Sequence, residues 1–216
     1  MDTLVARRQM VDQQIRTWEV LDPRVLDAMA AVPREEFVPA AYRDLAFADA
    51  PIPIGFGQSM LSPKVQGRIL QSLAPAATDS ALEIGSGLGY LSACLSLLAA
   101  RTQSIDIHAG LIERAVVNLR SLPRAQVHFE VGDAFGAAPL GEHDVIAVTG
   151  SLPVYDTRFE AALRVGGRLF AIVGSAPVME ALLVRRVDEN EWIRESLFET
   201  VVDPLVNAAP GRKFVF

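Results

Sequence analysis

The chain has 216 residues, enough for one complete domain with a sizeable core and too few for two ordinary ones. Half of its residues are hydrophobic and 21% are charged, a globular profile that excludes a disordered or fibrous chain. The net charge is −6 and no basic stripe runs through it, so no nucleic-acid partner is expected.

The start of the chain passes through Arg7 and Arg8 with no apolar leader behind them. A first helix is predicted over 2–20, with Val11, Ile15 and Trp18 on one face. Asp22-Pro23 then caps and opens a short helix that Pro33 ends. Residues 39–63 are rich in proline and glycine, and 50–59 (APIPIGFGQS) is expected to hold no regular element. Ser62-Pro63 resembles another cap, leading into a helix that carries Val65, Ile69, Leu70 and Leu73.

After Asp79 the pattern alternates between strands and helices. Strands are predicted over 81–84, 103–107, 126–131, 144–149 and 168–173, with helices over 90–99, 111–119 and around 159–163. Residues 181–187 and 192–202 flank the polar cluster Asp188-Glu189-Asn190-Glu191 and read as an antiparallel hairpin at a sheet edge. Repeated strand–helix units imply an α/β, doubly wound, mostly parallel sheet. The organisation expected is a single domain over 1–216. Within it, 1–78 form a helical appendage with a substrate and cofactor loop, and 79–216 form the α/β core.

The stretch from Glu83 to Tyr90 is the most informative. Gly85, Gly87 and Gly89 follow a strand and open a helix, where ligands of open α/β sheets bind. A dinucleotide fingerprint spaces its glycines G-x-G-x-x-G, and here the third glycine comes one residue early. Glu83 completes the pattern E-x-G-x-G-x-G shown by S-adenosylmethionine-dependent methyltransferases of the Rossmann-like class. Asp106, about 20 residues on, stands where an acid grips ribose hydroxyls. Gly132-Asp133 follows the third strand of this unit, at the adenine position.

With these motifs the chain resembles the protein-L-isoaspartate O-methyltransferase family over nearly its whole length. Ala31-Val32-Pro33-Arg34-Glu35-Glu36-Phe37-Val38 resembles its V-P-R-E-x-F-V segment. Pro53-Ile54-Gly55-Phe56-Gly57-Gln58-Ser59 resembles its P-I-G-x-G-Q-T loop, and residues 83–90 its cofactor motif. The resemblance implies methyl transfer from S-adenosylmethionine to the free α-carboxylate of an isoaspartyl residue in a protein or peptide, leaving S-adenosylhomocysteine. It also implies cofactor contacts from Ser59, Met60, Glu83, Gly85, Ser86, Gly87, Gly89, Asp106, Ile107, Gly132, Asp133 and Ala134.

The family's loop continues I-S-x-P, with the serine hydroxyl as the catalytic group. Here Leu61 stands at that position, and a leucine cannot donate a hydrogen bond. Ser59 and Ser62 are the catalytic candidates left, Ser62 doubling as an N-cap. Lys64 either attracts an anionic substrate or points into solvent. Asp203 stands in Val201-Val202-Asp203-Pro204-Leu205 where the family carries V-P-L, an acid beside an expected anionic substrate. The cofactor half matches and the substrate half is altered. A diverged methyltransferase for another carboxylate or small molecule, or a cofactor-binding protein without chemistry, are the other readings; a nicotinamide oxidoreductase is disfavoured by the glycine spacing.

His108, His128 and His143 are scattered, offer no metal-ligand spacing and are read as surface or strand-end residues. The longest apolar stretch, 90–100, is roughly half of a membrane span, so no membrane association is expected. Cys94 is the only cysteine and suits a reducing, cytoplasmic setting. Cys94, Trp18, Phe37, Phe47 and Trp192 are read as packing residues.

Overall fold

A computed structural model describes residues 3–210 of the chain. The N-terminal run begins as α1 (Thr3–Met10), widens into a π turn over Val11–Ile15 and tightens into a 3₁₀ turn over Arg16–Trp18. This corrects the single regular helix expected over 2–20, whose start at Asp2 lies outside the described residues. The Thr17 hydroxyl lies 3.0 Å from the carbonyls of both Gln13 and Gln14, in competition with the regular ladder. Glu19 then takes a left-handed φ of 60° and stops the run. In α2 (Pro23–Ala31) the Asp22 side chain accepts from the Arg24 amide, with Pro23 in the first turn.

The segment over 50–59, expected to be irregular, forms an antiparallel hairpin of β1 (Ile52–Gly55) and β2 (Gln58–Met60). Ile52 and Ile54 turn inward while Pro53 and Gly55 face out, a period of two concealed by the density of proline and glycine. Pro53 is tolerated because this strand has a neighbour on one side only. The reversal is made at Gly55, Phe56 and Gly57, with φ of 97°, 57° and 71°. α3 (Pro63–Leu73) then starts at the expected proline, but the Ser62 side chain makes no capping hydrogen bond.

The main sheet has seven strands: β3 (Ser80–Ile84), β4 (Arg101–Asp106), β5 (His128–Val131), β6 (His143–Leu152), β7 (Leu163–Ser175), β8 (Val178–Asp188) and β9 (Glu191–Thr200). Their order is β5-β4-β3-β6-β7-β8-β9. The first five in that order are parallel, and β8 and β9 add on antiparallel to close one side. This is the doubly wound, mostly parallel architecture with a C-terminal hairpin that the sequence pattern implies. Connecting helices are α4 (Tyr90–Leu98), α5 (Ala109–Leu119) and α6 (Thr157–Ala161). The helix expected around 159–163 therefore ends early, and β7 begins before Gly166-Gly167. Those glycines fall where the β6–β7 register slips, between the pairings of His143 and Val145.

Apolar side chains form two layers, one on each face of the sheet. One joins Met10, Ile15, Met29 and Phe37 from the N-terminal segment to Leu70, Leu91, Leu111 and Phe170. The other packs Phe159 of α6 against Ile84, Val148 and Leu169 of the strands. Cys94 and Phe37 are fully buried in the first layer. Among the described residues no helix is long and apolar enough to cross a membrane. Strand order reverses at β3, which places its carboxyl end at the switch point where open α/β sheets leave a crevice.

Candidate active site

The turn after β3 is shaped by its backbone. Gly85 N and Ser86 N both donate to Ile105 O, at 2.8 and 3.3 Å, which ties the turn to the end of β4. Gly85 has φ +92°, and a Cβ built there would lie 2.5 Å from Thr149 Oγ1. The position requires glycine for both reasons. Gly89 has φ +88° and caps α4, with a virtual Cβ 3.0 Å from Ala115 and 3.2 Å from Phe129. It brings helices together and does not line the pocket, unlike the other glycines of the motif.

Asp106, at the end of β4, is buried. Its Oδ2 accepts from Gly87 N and its Oδ1 from His108 N, each at 2.9 Å. A carboxylate oxygen that accepts one amide retains a second acceptor site, so Asp106 can still receive hydroxyl donors from a ligand. Around it the pocket is lined by Ser59, Met60, Glu83, Gly85, Ser86, Gly87, Ile107, Gly132, Asp133 and Ala134. The structure thus brings every expected cofactor-contact residue except Gly89 to the lining of one pocket. Sequence reasoning missed His108. The Phe56 ring stacks on it at 4.4 Å between centroids, and its Nε2 is buried without a hydrogen-bond partner. His128 is exposed at the start of β5, and His143 stands at the start of β6, buried between Ser80 Oγ and Leu140 O, so both lie at strand ends as expected.

Glu83 reaches the pocket wall, but its carboxyl group is committed behind the turn. Ser104 Oγ lies 2.6 Å from Glu83 Oε2 and 2.6 Å from Ser86 Oγ, and Ser92 Oγ donates to the same carboxyl oxygen. Burial pushes the Glu83 carboxyl up to about 8, opposed by hydrogen bonds from Ser104 and Ser92 and aided by the charge of Asp106. The folded protein therefore holds a proton that the unfolded chain releases above its ordinary carboxylate range. That stabilisation is complete below about pH 4.5 and is lost as pH rises through about 8. Over this window the loss from this one group is of order 5 kcal/mol. Glu83→Gln is expected to flatten the urea-unfolding stability across this window, while the native chain loses stability steadily; a native profile as flat as the variant's would refute the assignment.

Two segments close over the pocket. The β1–β2 hairpin is tied down by Arg114, whose Nη1 donates to Ile54 O at 3.3 Å. Gln58 Nε2 reaches across to Pro204 O, also at 3.3 Å. The stretch 202–206 runs beside the end of β6, with Ser151 N donating to Asp203 O and Leu205 N to Ser151 O at 2.9 and 3.0 Å. Gly150 permits this approach, since a Cβ there would lie 2.7 Å from Leu205 Cδ2.

Beyond the hairpin lies a second cleft of about 580 Å³. Ser59, Leu61, Val202 and Asp203 line both cavities and form their common wall, whereas Ser62 lines only the second. Lys64 also lines this cleft, but it neither stands ready for an anion nor points into solvent as expected. Its Nζ is 2.7 Å from Asp49 Oδ2 and 4.5 Å from the centre of the Trp18 ring, so its charge is met within the protein.

Behind the wall Arg34 is fully buried. Its Nε donates to Ala46 O and its Nη2 to Leu61 O, both at 2.8 Å, and Nη1 donates to Gln66 Oε1. The guanidinium packs over the Tyr90 ring at 4.8 Å, and burial holds its pKa below the usual arginine value. No carboxylate pairs with it among the described residues. The same residues present no group of histidine, cysteine and carboxylate side chains able to hold a metal ion.

Comparison with known proteins adds to this geometry. The family model described as protein-L-isoaspartate(D-aspartate) O-methyltransferase matches residues 5–209. The protein-L-isoaspartate O-methyltransferase of Koribacter versatilis is 38% identical over 201 residues, covering 93% of this chain and 90% of its own. Protein-L-isoaspartate O-methyltransferase 1 of Geotalea uraniireducens is 36% identical and covers 95% of both chains. Among solved structures, one described as a protein-L-isoaspartate O-methyltransferase superposes with a TM-score of 0.78 at 21% identity, over 94% of this chain and 67% of that one. A Plasmodium falciparum methyltransferase chain in complex with S-adenosyl-L-homocysteine superposes with a TM-score of 0.81 at 17% identity, over 92% of this chain and 97% of that one.

Proposed function

The chain belongs to the protein-L-isoaspartate O-methyltransferase family, and on that premise we propose that it methylates the free α-carboxylate of L-isoaspartyl residues in damaged proteins and peptides. S-adenosylmethionine, when bound, supplies an activated methyl group and leaves as S-adenosylhomocysteine. The first pocket suits this cofactor on its own chemistry. Asp106 offers acceptor sites for ribose hydroxyls, Gly85 to Gly87 offer close backbone approach, and His108 carries a buried nitrogen that lacks a partner. Ile107, Gly132, Asp133 and Ala134 stand along the far wall, where the adenine would lie.

The observation that carries the proposal is the common wall. A methyl group held in the first pocket and a carboxylate entering the second cleft can meet only where the two cavities touch, at Ser59, Leu61, Val202 and Asp203. An α-carboxylate with an ordinary pKa of about 3.5 is ionised at neutral pH, so these residues need not remove a proton. Ser59 is placed to align the oxygen, and Leu61 and Val202 to exclude water. Ser59 has a hydroxyl on the wall itself, and Ser62 has one in the cleft that its helix does not use as a cap. The buried Arg34 holds the Leu61 backbone from behind.

The deciding assay is transfer of labelled methyl to an isoaspartyl peptide, compared with the same peptide carrying normal aspartate. Selective labelling of the first is expected; no labelling by protein that binds the cofactor would overturn the reading. Leu61→Ser puts a second hydroxyl on the common wall and is expected to raise kcat on that peptide roughly tenfold, since one aligned donor commonly contributes that much or more. An unchanged or lower kcat, with thermal unfolding unaltered, would show that this chain aligns its acceptor without position 61. Leu61 also favours a second reading, in which the acceptor is another carboxylate. A cytoplasmic setting completes the proposal, supported by a lone cysteine that is buried in the core.

A further inference from the structure

The charge of the acceptor cleft is unusual for a site that takes up an anion. Three ionisable side chains line it: Asp49, Lys64 and Asp203. Asp49 and Lys64 neutralise each other at 2.7 Å. Asp203 has no ion-pair partner among the described residues. Its backbone is fixed by the Ser151 amide and by the bridge between Ser151 and Pro204, so the residue is held at the common wall by a segment tied to β6. A ligand in the cleft therefore meets one uncompensated negative charge beside the point of reaction.

The reacting carboxylate has a different electrostatic partner. The Arg34 guanidinium lies behind Leu61, without an ion-pair partner, and its positive field is poorly screened where no water reaches it. The wall thus presents a buried cation behind Leu61 and a half-buried, unpaired anion at Asp203. A complementary acceptor carries a carboxylate and, next to it, a positive charge. An acceptor with a second carboxylate would be repelled.

We propose that Asp203 is a specificity-determining residue that selects isoaspartyl sites flanked by lysine or arginine over sites flanked by acidic residues. This rests on the isoaspartyl reading above and deepens it. A unit charge roughly 7 Å away, in a medium intermediate between protein and water, changes binding by about tenfold in either direction. Asp203 acts on the flanking side chain and not on the methyl transfer, so its effect belongs in KM and in kcat/KM ratios between peptides.

The test uses the full chain, S-adenosylmethionine and three isoaspartyl peptides that differ only in one flanking residue: lysine, glutamine or glutamate. The native chain is expected to favour lysine over glutamate by at least about tenfold in kcat/KM, with glutamine between, and to lose much of that preference as salt rises. Asp203→Asn is expected to bring the ratio of kcat/KM between the lysine and glutamate peptides to within about twofold of unity, with the affinity for S-adenosylhomocysteine unchanged. Asp203→Glu should restore most of the preference, which a purely structural role would not predict.

Equal methylation of all three peptides by the native chain would overturn this inference alone. So would a preference that survives Asp203→Asn. A change in S-adenosylhomocysteine affinity in Asp203→Asn would place the carboxylate on the cofactor side and overturn it too. Methylation of none of them by cofactor-bound protein would overturn the isoaspartyl reading itself.

Discussion

Gly85→Ala is expected to weaken binding of S-adenosylmethionine and S-adenosylhomocysteine by about a hundredfold, measured by titration calorimetry. Two costs combine. Alanine at φ +92° is strained by roughly 1–2 kcal/mol. Its Cβ would also fall 2.5 Å from Thr149 Oγ1, a side chain that lies 2.9 Å from Ile84 O and 2.8 Å from Gly85 O. Displacing that hydroxyl forfeits about a further 1 kcal/mol and moves the turn. The free variant relieves these costs by moving the turn and cofactor binding must restore it, so about 3 kcal/mol, a factor of about a hundred, falls on affinity. Gly166→Ala is the matched control, with φ +83° and nothing within 4 Å of an added Cβ. It should lose stability from strain and keep its cofactor affinity. Equal affinity loss in both variants would show that general strain, not the turn, governs binding. Gly85→Ala combined with Thr149→Ala should recover part of the affinity, because the overlap is relieved and the φ strain is not.

Arg34→Met should destabilise the fold by about 3–5 kcal/mol, the range for stranding buried polar partners. Methionine fills much of the volume but leaves three acceptors, Ala46 O, Leu61 O and Gln66 Oε1, facing a dry interior. Against a typical total of 5–15 kcal/mol such a loss is large enough to shift the urea midpoint markedly. Arg34→Lys should recover little, because one ammonium cannot reach three diverging acceptors in the way a planar fork does. A loss below about 1 kcal/mol for Arg34→Met would mean that the segment around Leu61 can satisfy itself without the guanidinium. Activity should fall along with stability in the methionine variant, since Arg34 holds the backbone of a residue on the common wall.

These two residues differ in how far they could be read beforehand. Gly85 announces itself: a glycine between a β-type run and a helical run, followed by two more at fixed spacing, specifies a turn that only glycine tolerates. Arg34 stands in an equally legible segment, but nothing in V-P-R-E-E-F-V says that its side chain will be dry. The hairpin over 52–60 runs against its local composition for a related reason. Proline and glycine argue against regular structure locally, yet Ile52 and Ile54 find an apolar wall to face once the rest of the chain has folded.

Short-range sequence is enough for the alternating strands and helices, the place of the glycine turn after β3, the acids Asp106 and Asp133 that follow it and the altered residue at Leu61. Each of these is set by backbone preference or spacing over a few neighbouring residues, where local sterics and periodicity suffice. Packing across distant segments is what pairs Lys64 with Asp49, keeps the Glu83 proton among three serines, brings His108 to the pocket and leaves Asp203 unpaired on the wall between two cavities. Those outcomes depend on burial and on partners brought together from distant strands, and a charge or a proton has no fixed energy until its surroundings are known.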